Sequence, residues 1–272
     1  MITQYLTKNP CYQAGRTIDV KGLMLHSVGV NQPDPMVFIK QWDSPDYSRA
    51  CVHGFLGEKE TYITLPVLET PGKAMRGWHG GGASNNTHLG FEMCEPAEIK
   101  YTGGASFTVT DRDAAVQFAQ ATLRQAVALF AQLCKFHGLD PTAPGVVISH
   151  KEGHALGIAT DHSDPEHLWQ GLSMDYTMDR FRSEVAAAMA GTEEEEEMDI
   201  PKLIEELTNE QAYTLYRKAQ NYAATLQEAD WSKKEGFWEK AAQSGIINSG
   251  NPECAMSRDE VISVLGRLGL LK

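Results

Sequence analysis

Residues 146–169, VVISHKEGHALGIATDHSDPEHLW, hold four of the nine histidines of the chain together with a cluster of carboxylates. Val146, Val147 and Ile148 form a β-branched run with the length of a short buried strand, which puts His150 at a strand exit, where a scaffold presents a side chain rigidly. Residues 153–160 are rich in Gly and small side chains, so the pattern predicts a loop rather than a helix, folding His162 and Asp164 back towards His150. A lone histidine after a strand is more often structural than functional. A second one in a matching setting changes the reading.

That second histidine is His26. Leu23, Met24 and Leu25 form an apolar run that ends at His26 and Ser27, again a histidine leaving a buried strand. Two such histidines plus an Asp or a third His supply three protein ligands to zinc and leave its fourth position open for water. There is no HExxH or CxxC motif to mark such a site locally. The five cysteines, Cys11, Cys51, Cys94, Cys134 and Cys254, are odd in number and scattered, which argues against a disulfide framework and a cysteine-based zinc site and reads most of them as buried, inert thiols.

Residues 1–191 are predicted to form one α/β domain. Residues 33–42 suit a short helix, with Met36, Phe38, Ile39 and Trp42 at helical spacing. Residues 50–56 and 61–65 suit a hairpin of two strands, and WHGGGASNN, residues 78–86, is a loop with no phosphate-cradle ending. In residues 88–94, Leu89, Phe91 and Met93 alternate with Gly90, Glu92 and Cys94. Glu92 therefore points away from the Phe91 face, either towards a metal cleft or into solvent. Thr110 and Asp111 can cap a long helix that ends at Gly138, with Ala115, Phe118, Ala119, Thr122, Ala126, Leu129, Phe130 and Leu133 as its apolar stripe, and residues 176–190 form a last helix.

The net charge of −12 argues against nucleic-acid binding and against attraction to an anionic membrane. No apolar run is long enough to span a bilayer, and the first residues lack a basic stretch followed by an apolar one. The expectation is cytoplasmic synthesis without an ordinary secretion signal.

With these motifs in place the chain resembles a known family. His26 after an apolar strand, VHGFLGEKETYITLP, WHGGGASNNTHLGFEMCEP, and ISHKEG followed by DHSDPEHLW are similar, in order, to the type 2 zinc-dependent N-acetylmuramoyl-L-alanine amidases, the fold of phage lysozyme-type amidases and peptidoglycan recognition proteins, and within it to prophage endolysins. The likeness covers roughly residues 20–185. It implies a mixed central β-sheet flanked by helices, a Zn2+ cofactor and a peptidoglycan substrate. His26 and His150 match the family's two histidine ligands. Asp164, directly before Pro165, matches the third, while His162 stands where many members carry Lys, so His162 is either a catalytic group or the third ligand itself, with Asp164 favoured as ligand. Glu92 matches the general base of some members, Tyr62 lies near a catalytic tyrosine of others, and Trp78 and His79 are expected to line the substrate cleft. The function implied is an endolysin that cleaves the amide between N-acetylmuramic acid and L-alanine, reaching the wall after release from the cell. The alternative is a peptidoglycan-binding module on the same fold without catalysis.

The five glutamates 193–197 should stay extended and solvated, so residues 192–199 read as a linker. Their codons can also spell a ribosome-binding sequence ahead of Met198, which raises the expectation of a second product starting there. Residues 200–272 are expected to form a small all-α domain for wall targeting or self-association, through which such a fragment could join the full-length chain.

Overall fold

The computed structural model describes residues 1–191 of the 272-residue chain. The expected linker 192–199, the helical module 200–272 and the product starting at Met198 lie outside the described residues. In chain order the elements are β1 (Ile2–Thr3), α1 (Pro10–Gln13), β2 (Thr17–Asp19), β3 (Gly22–Ser27), α2 (Pro35–Trp42), β4 (Gly54–Leu56), β5 (Thr61–Ile63), β6 (Lys73–Met75), a 3-10 turn (Ala83–Asn86), β7 (His88–Met93), β8 (Ile99–Gly103), β9 (Ser106–Val109), α3 (Arg112–His137), β10 (Val147–Ser149), α4 (His150–Ala155), α5 (Glu166–Gly171) and α6 (Met178–Ala190).

Six strands make the central sheet in the order β1-β5-β4-β7-β3-β10. Only β4 and β5 pair antiparallel; the other neighbours run parallel, so the sheet is mixed, as the sequence resemblance implied. Two small ribbons, β2 with β6 and β8 with β9, stand apart from it. No helix among the described residues is long and apolar enough to cross a membrane.

The alternation in β7 decides which face of the sheet is core. Leu89, Phe91 and Met93 are fully buried and share one cluster with Leu23 and Leu25 of β3 and with the stripe of α3. The ring of Phe130 sits edge-on between Phe91, at 5.6 Å, and Phe181 of α6, at 5.1 Å, and so joins sheet, long helix and last helix. Helix α3 has the expected bounds. The Asp111 carboxylate accepts the Ala114 N–H at its start, and Gly138 closes it in the left-handed conformation, φ 67°.

On the opposite face α2 covers part of the sheet by stacking Phe38 on Phe55 at 5.4 Å, with Trp42 edge-on to the same ring. Beside it, His26 of β3 and Glu92 of β7 line an open groove. The hairpin strands are shorter than the sequence pattern suggested.

The region after β10 departs from expectation. Residues 150–155 are helical, because Ser149 and Glu152 form a reciprocal capping box in which the Ser149 hydroxyl accepts the Glu152 N–H and the Glu152 carboxylate accepts the Ser149 N–H. Gly153, which suggested a loop, serves packing: a Cβ there would stand 2.7 Å from Met24 Cε, so its absence lets α4 lie against β3.

Candidate functional site

Strand β10 runs straight into α4, so His150, at the strand exit as the sequence suggested, is the first residue of a helix. His26 is the penultimate residue of β3, and Asp164 ends the segment that returns from α4. All three are buried, and their ligand atoms converge. His26 Nδ1 is 3.0 Å from His150 Nδ1 and 3.2 Å from Asp164 Oδ2, while His150 Nδ1 is 3.5 Å from Asp164 Oδ1. Two ring nitrogens and a carboxylate so placed could hold a metal ion.

Electrostatics favours a carboxylate at Asp164 and opposes one at Glu92. Burial raises the pKa of Asp164, but hydrogen bonds from His150 and His26 and their charge outweigh it and hold the group far below the usual range. Burial, with Asp164 and Glu95 adding negative charge, pushes Glu92 well above its ordinary value. Glu92 Oε2 is buried with no hydrogen-bond partner among the described residues. Across the parallel β3–β7 pair His26 lies directly beside Glu92, so both side chains leave the same face of the sheet.

His162 is exposed at the rim of the groove, its ring 4.4 Å from that of His150. Trp78 and His79 also line the groove, Trp78 held by paired backbone hydrogen bonds with Cys51. His79 has a second contact, with its Nδ1 3.0 Å from His26 Nε2. Tyr62 is not among the groove-lining residues; it sits on β5 and its hydroxyl donates to Glu60 at 2.7 Å.

Several residues that the sequence did not single out stand in or against the groove. Tyr101 donates to the buried Glu95 at 2.7 Å, and its oxygen is 2.6 Å from His167 Nε2. The Glu95 carboxylate also accepts the Gly29 N–H, just past β3, at 3.0 Å. Burial lifts Glu95 to about 7 against the pull of these donors. The nearest sequence signal was that Glu95 follows Glu92 in FEMCEP; nothing local linked it to His167.

His53, whose ring lies 5.6 Å from that of His79, is a structural residue. Its Nε2–H donates to the Met75 carbonyl at 2.8 Å and its Nδ1 accepts the Gly90 N–H at 2.9 Å, so both ring nitrogens are used with the ring neutral. Burial lowers its pKa from 6.5 to about 4, against two backbone contacts that raise it. A histidine kept neutral by the fold contributes its full stability above pH 6.5 and loses it as the pH falls towards 4. At ~1.4 kcal/mol per unit this amounts to roughly 3 kcal/mol. Urea unfolding at pH 7.5, 5.5 and 4.5 is expected to reveal this loss, with His53→Asn removing about one proton from the slope. An unchanged slope in the variant would remove His53 as its source.

The structure is similar to that of Staphylococcus aureus hydrolase AmiA in complex with its ligand, at 17% sequence identity over 64% of this chain and 74% of that one, with a TM-score of 0.49. It is also similar to a mutant endolysin from Bacillus subtilis, at 20% identity over 68% and 97% with a TM-score of 0.46, and to the catalytic domain of XlyA, at 19% identity over the same shares with a TM-score of 0.46. A search of curated proteins gave no match. The family model described as N-acetylmuramoyl-L-alanine amidase matches residues 16–167, more than half of the chain and a span that holds His26, Glu92, His150, His162 and Asp164. By that match the chain belongs to the N-acetylmuramoyl-L-alanine amidase family.

Proposed function

We propose that the protein is a zinc-dependent peptidoglycan amidase that hydrolyses the bond between the lactyl group of N-acetylmuramic acid and L-alanine of the stem peptide. The observation that carries this is the spacing of the three ligand atoms. Tetrahedral zinc with bonds of about 2.0–2.1 Å to nitrogen and oxygen has ligand separations of about 3.3 Å. His26 Nδ1 is 3.0 Å from His150 Nδ1 and 3.2 Å from Asp164 Oδ2, the other carboxylate oxygen, Oδ1, is 3.5 Å from His150 Nδ1, and one donor atom from each of the three residues lies within 4.8 Å of the others. The donor set of two imidazoles and one carboxylate suits zinc and leaves one position free.

Zinc held there would lower the pKa of a bound water and polarise the scissile carbonyl. Glu92, on the same face of the sheet as His26, takes the proton of the attacking water and returns it to the leaving amine. Burial beside other carboxylates raises its proton affinity, and a cation held by the neighbouring ligands would offset that rise and favour the ionised form that a base needs. His162, at the rim against His150, donates a hydrogen bond to the carbonyl oxygen as negative charge develops on it. Trp78 and Arg49 line the groove and would contact a substrate bound there. The groove, of about 760 Å³, has room for a short stretch of sugar and peptide. Tyr62 takes no part in this scheme. Synthesis in the cytoplasm, release to the wall, and wall targeting or self-association through residues 200–272 belong to the same proposal.

Digestion of purified cell walls by the zinc-loaded full-length protein tests it. New L-alanine amino termini should appear without new reducing sugars. Release of reducing ends, or wall binding with no amines released, would replace the amidase with a glycosidase or with a binding module.

A further inference from the structure

The glycine-rich residues 78–82 are more than a groove wall. His79 Nε2 lies 3.0 Å from the His88 carbonyl, and because a carbonyl only accepts, Nε2 carries the ring proton and Nδ1 is left as an acceptor. That acceptor is 3.0 Å from His26 Nε2, so His26 donates from Nε2 and its Nδ1, which faces His150 and Asp164, has a free lone pair.

The same loop reaches His150 by a second route. The Gly80 carbonyl accepts the Thr160 N–H at 2.9 Å, which seats Thr160 Oγ1 3.2 Å from His150 Nε2. When His150 Nδ1 bonds a cation, the ring proton must sit on Nε2, and Thr160 Oγ1 is there to accept it. The hydroxyl's own proton then has two acceptors, His162 Nδ1 at 3.1 Å and the Gly80 carbonyl at 3.3 Å. Donation to His162 Nδ1 would leave the His162 proton on Nε2.

The glycines make this approach possible. A Cβ on Gly81 would lie 2.6 Å from Thr160 Cγ2, one on Gly82 2.6 Å from the Ile158 carbonyl oxygen, and one on Gly90 2.3 Å from the His79 ring. Gly81 also has φ +68°, which favours glycine.

We propose that residues 78–82 form the orienting clamp of the metal centre, with His79 and Thr160 as positioning residues that accept the Nε2 protons of His26 and His150 and so turn both Nδ1 atoms to one cation. This rests on the metal-centre reading above.

The test uses full-length protein and zinc alone, with affinity measured by competition against a chromophoric chelator and the imidazole N–H signals followed by NMR on 15N-histidine protein. Thr160→Val and His79→Phe each remove an acceptor while keeping bulk, and should weaken zinc binding by roughly 10- to 100-fold and speed solvent exchange of the His150 and His26 Nε2–H protons respectively. Thr160→Ser and His79→Asn restore an acceptor and should come within about threefold of the wild type. If both acceptor-less variants bind zinc as the wild type does, or if the restoring variants are as weak as the others, the clamp is wrong while the metal centre stands. A wild type that takes up no zinc overturns both. Should His79→Phe fail to fold, the Thr160 pair decides.

Discussion

Glu92→Gln protein is expected to keep its fold and its zinc yet release amines from cell walls about 10²- to 10⁴-fold more slowly than the wild type. The amide has the shape of the carboxylate but cannot take a proton from water. The same substitution should leave thermal stability unchanged or higher, because Glu92 Oε2 is buried without a partner and the group's ionised form is disfavoured there. A variant that is as stable as the wild type, loaded with metal and nearly inert is hard to explain except by loss of proton transfer. Amine release, zinc content and melting temperature on one preparation check the prediction. Activity within about threefold of wild type would remove Glu92 from the role of base.

The second large effect separates Asp164 from His162. Asp164→Asn removes the charge that faces both histidines and should lower zinc affinity by more than the roughly 10- to 100-fold that loss of a merely orienting group costs. His162→Ala should keep zinc within a few fold and lose turnover by about 10²- to 10³-fold, the range for removing one hydrogen bond to a developing oxyanion. The geometry behind this contrast is plain: Asp164 is buried within hydrogen-bond reach of His26, whereas His162 is exposed at the rim with Nδ1 directed to Thr160. Zinc titration and initial rates on both variants decide it, and the opposite pattern would make His162 the third ligand.

What the sequence made legible was what local chemistry encodes. Helix α3 carries a cap at each end and a stripe between them, so its bounds could be read from Asp111 to Gly138. The alternation in β7 separated Phe91 from Glu92 without reference to any other strand. By contrast β1, β2 and β6 are two or three residues long and exist because a partner pairs with them, so no pattern marks them. The helix α4 was hidden because Gly153 reads as a breaker, while its reason is the proximity of Met24, far away in sequence. The candidate ligands could be named one by one, but His26 is separated from His150 by 124 residues and from Asp164 by 138, so their meeting is a property of the sheet. Thr160 had no signal, and the Glu95–Tyr101–His167 group had only the nearness of Glu95 to Glu92 and the place of His167 in the histidine-rich stretch, since their significance lies in what they touch.

The side-by-side placement of His26 and Glu92 on parallel strands bears on how such an enzyme can change its targets. Their separation is set by the β3–β7 ladder, whose register runs unbroken from Gly22 with His88 to Ser27 with Met93. The segments that form the rim, around Arg49, residues 78–86 and residues 156–163, hang from that frame. A rim segment that carries none of the three ligands, such as the one around Arg49, could change without altering that spacing. A single-residue insertion within β3 ahead of His26 would instead turn the histidine to the opposite face of the sheet. The ladder therefore tolerates no change of register between His26 and Glu92, whereas the rim lies outside it.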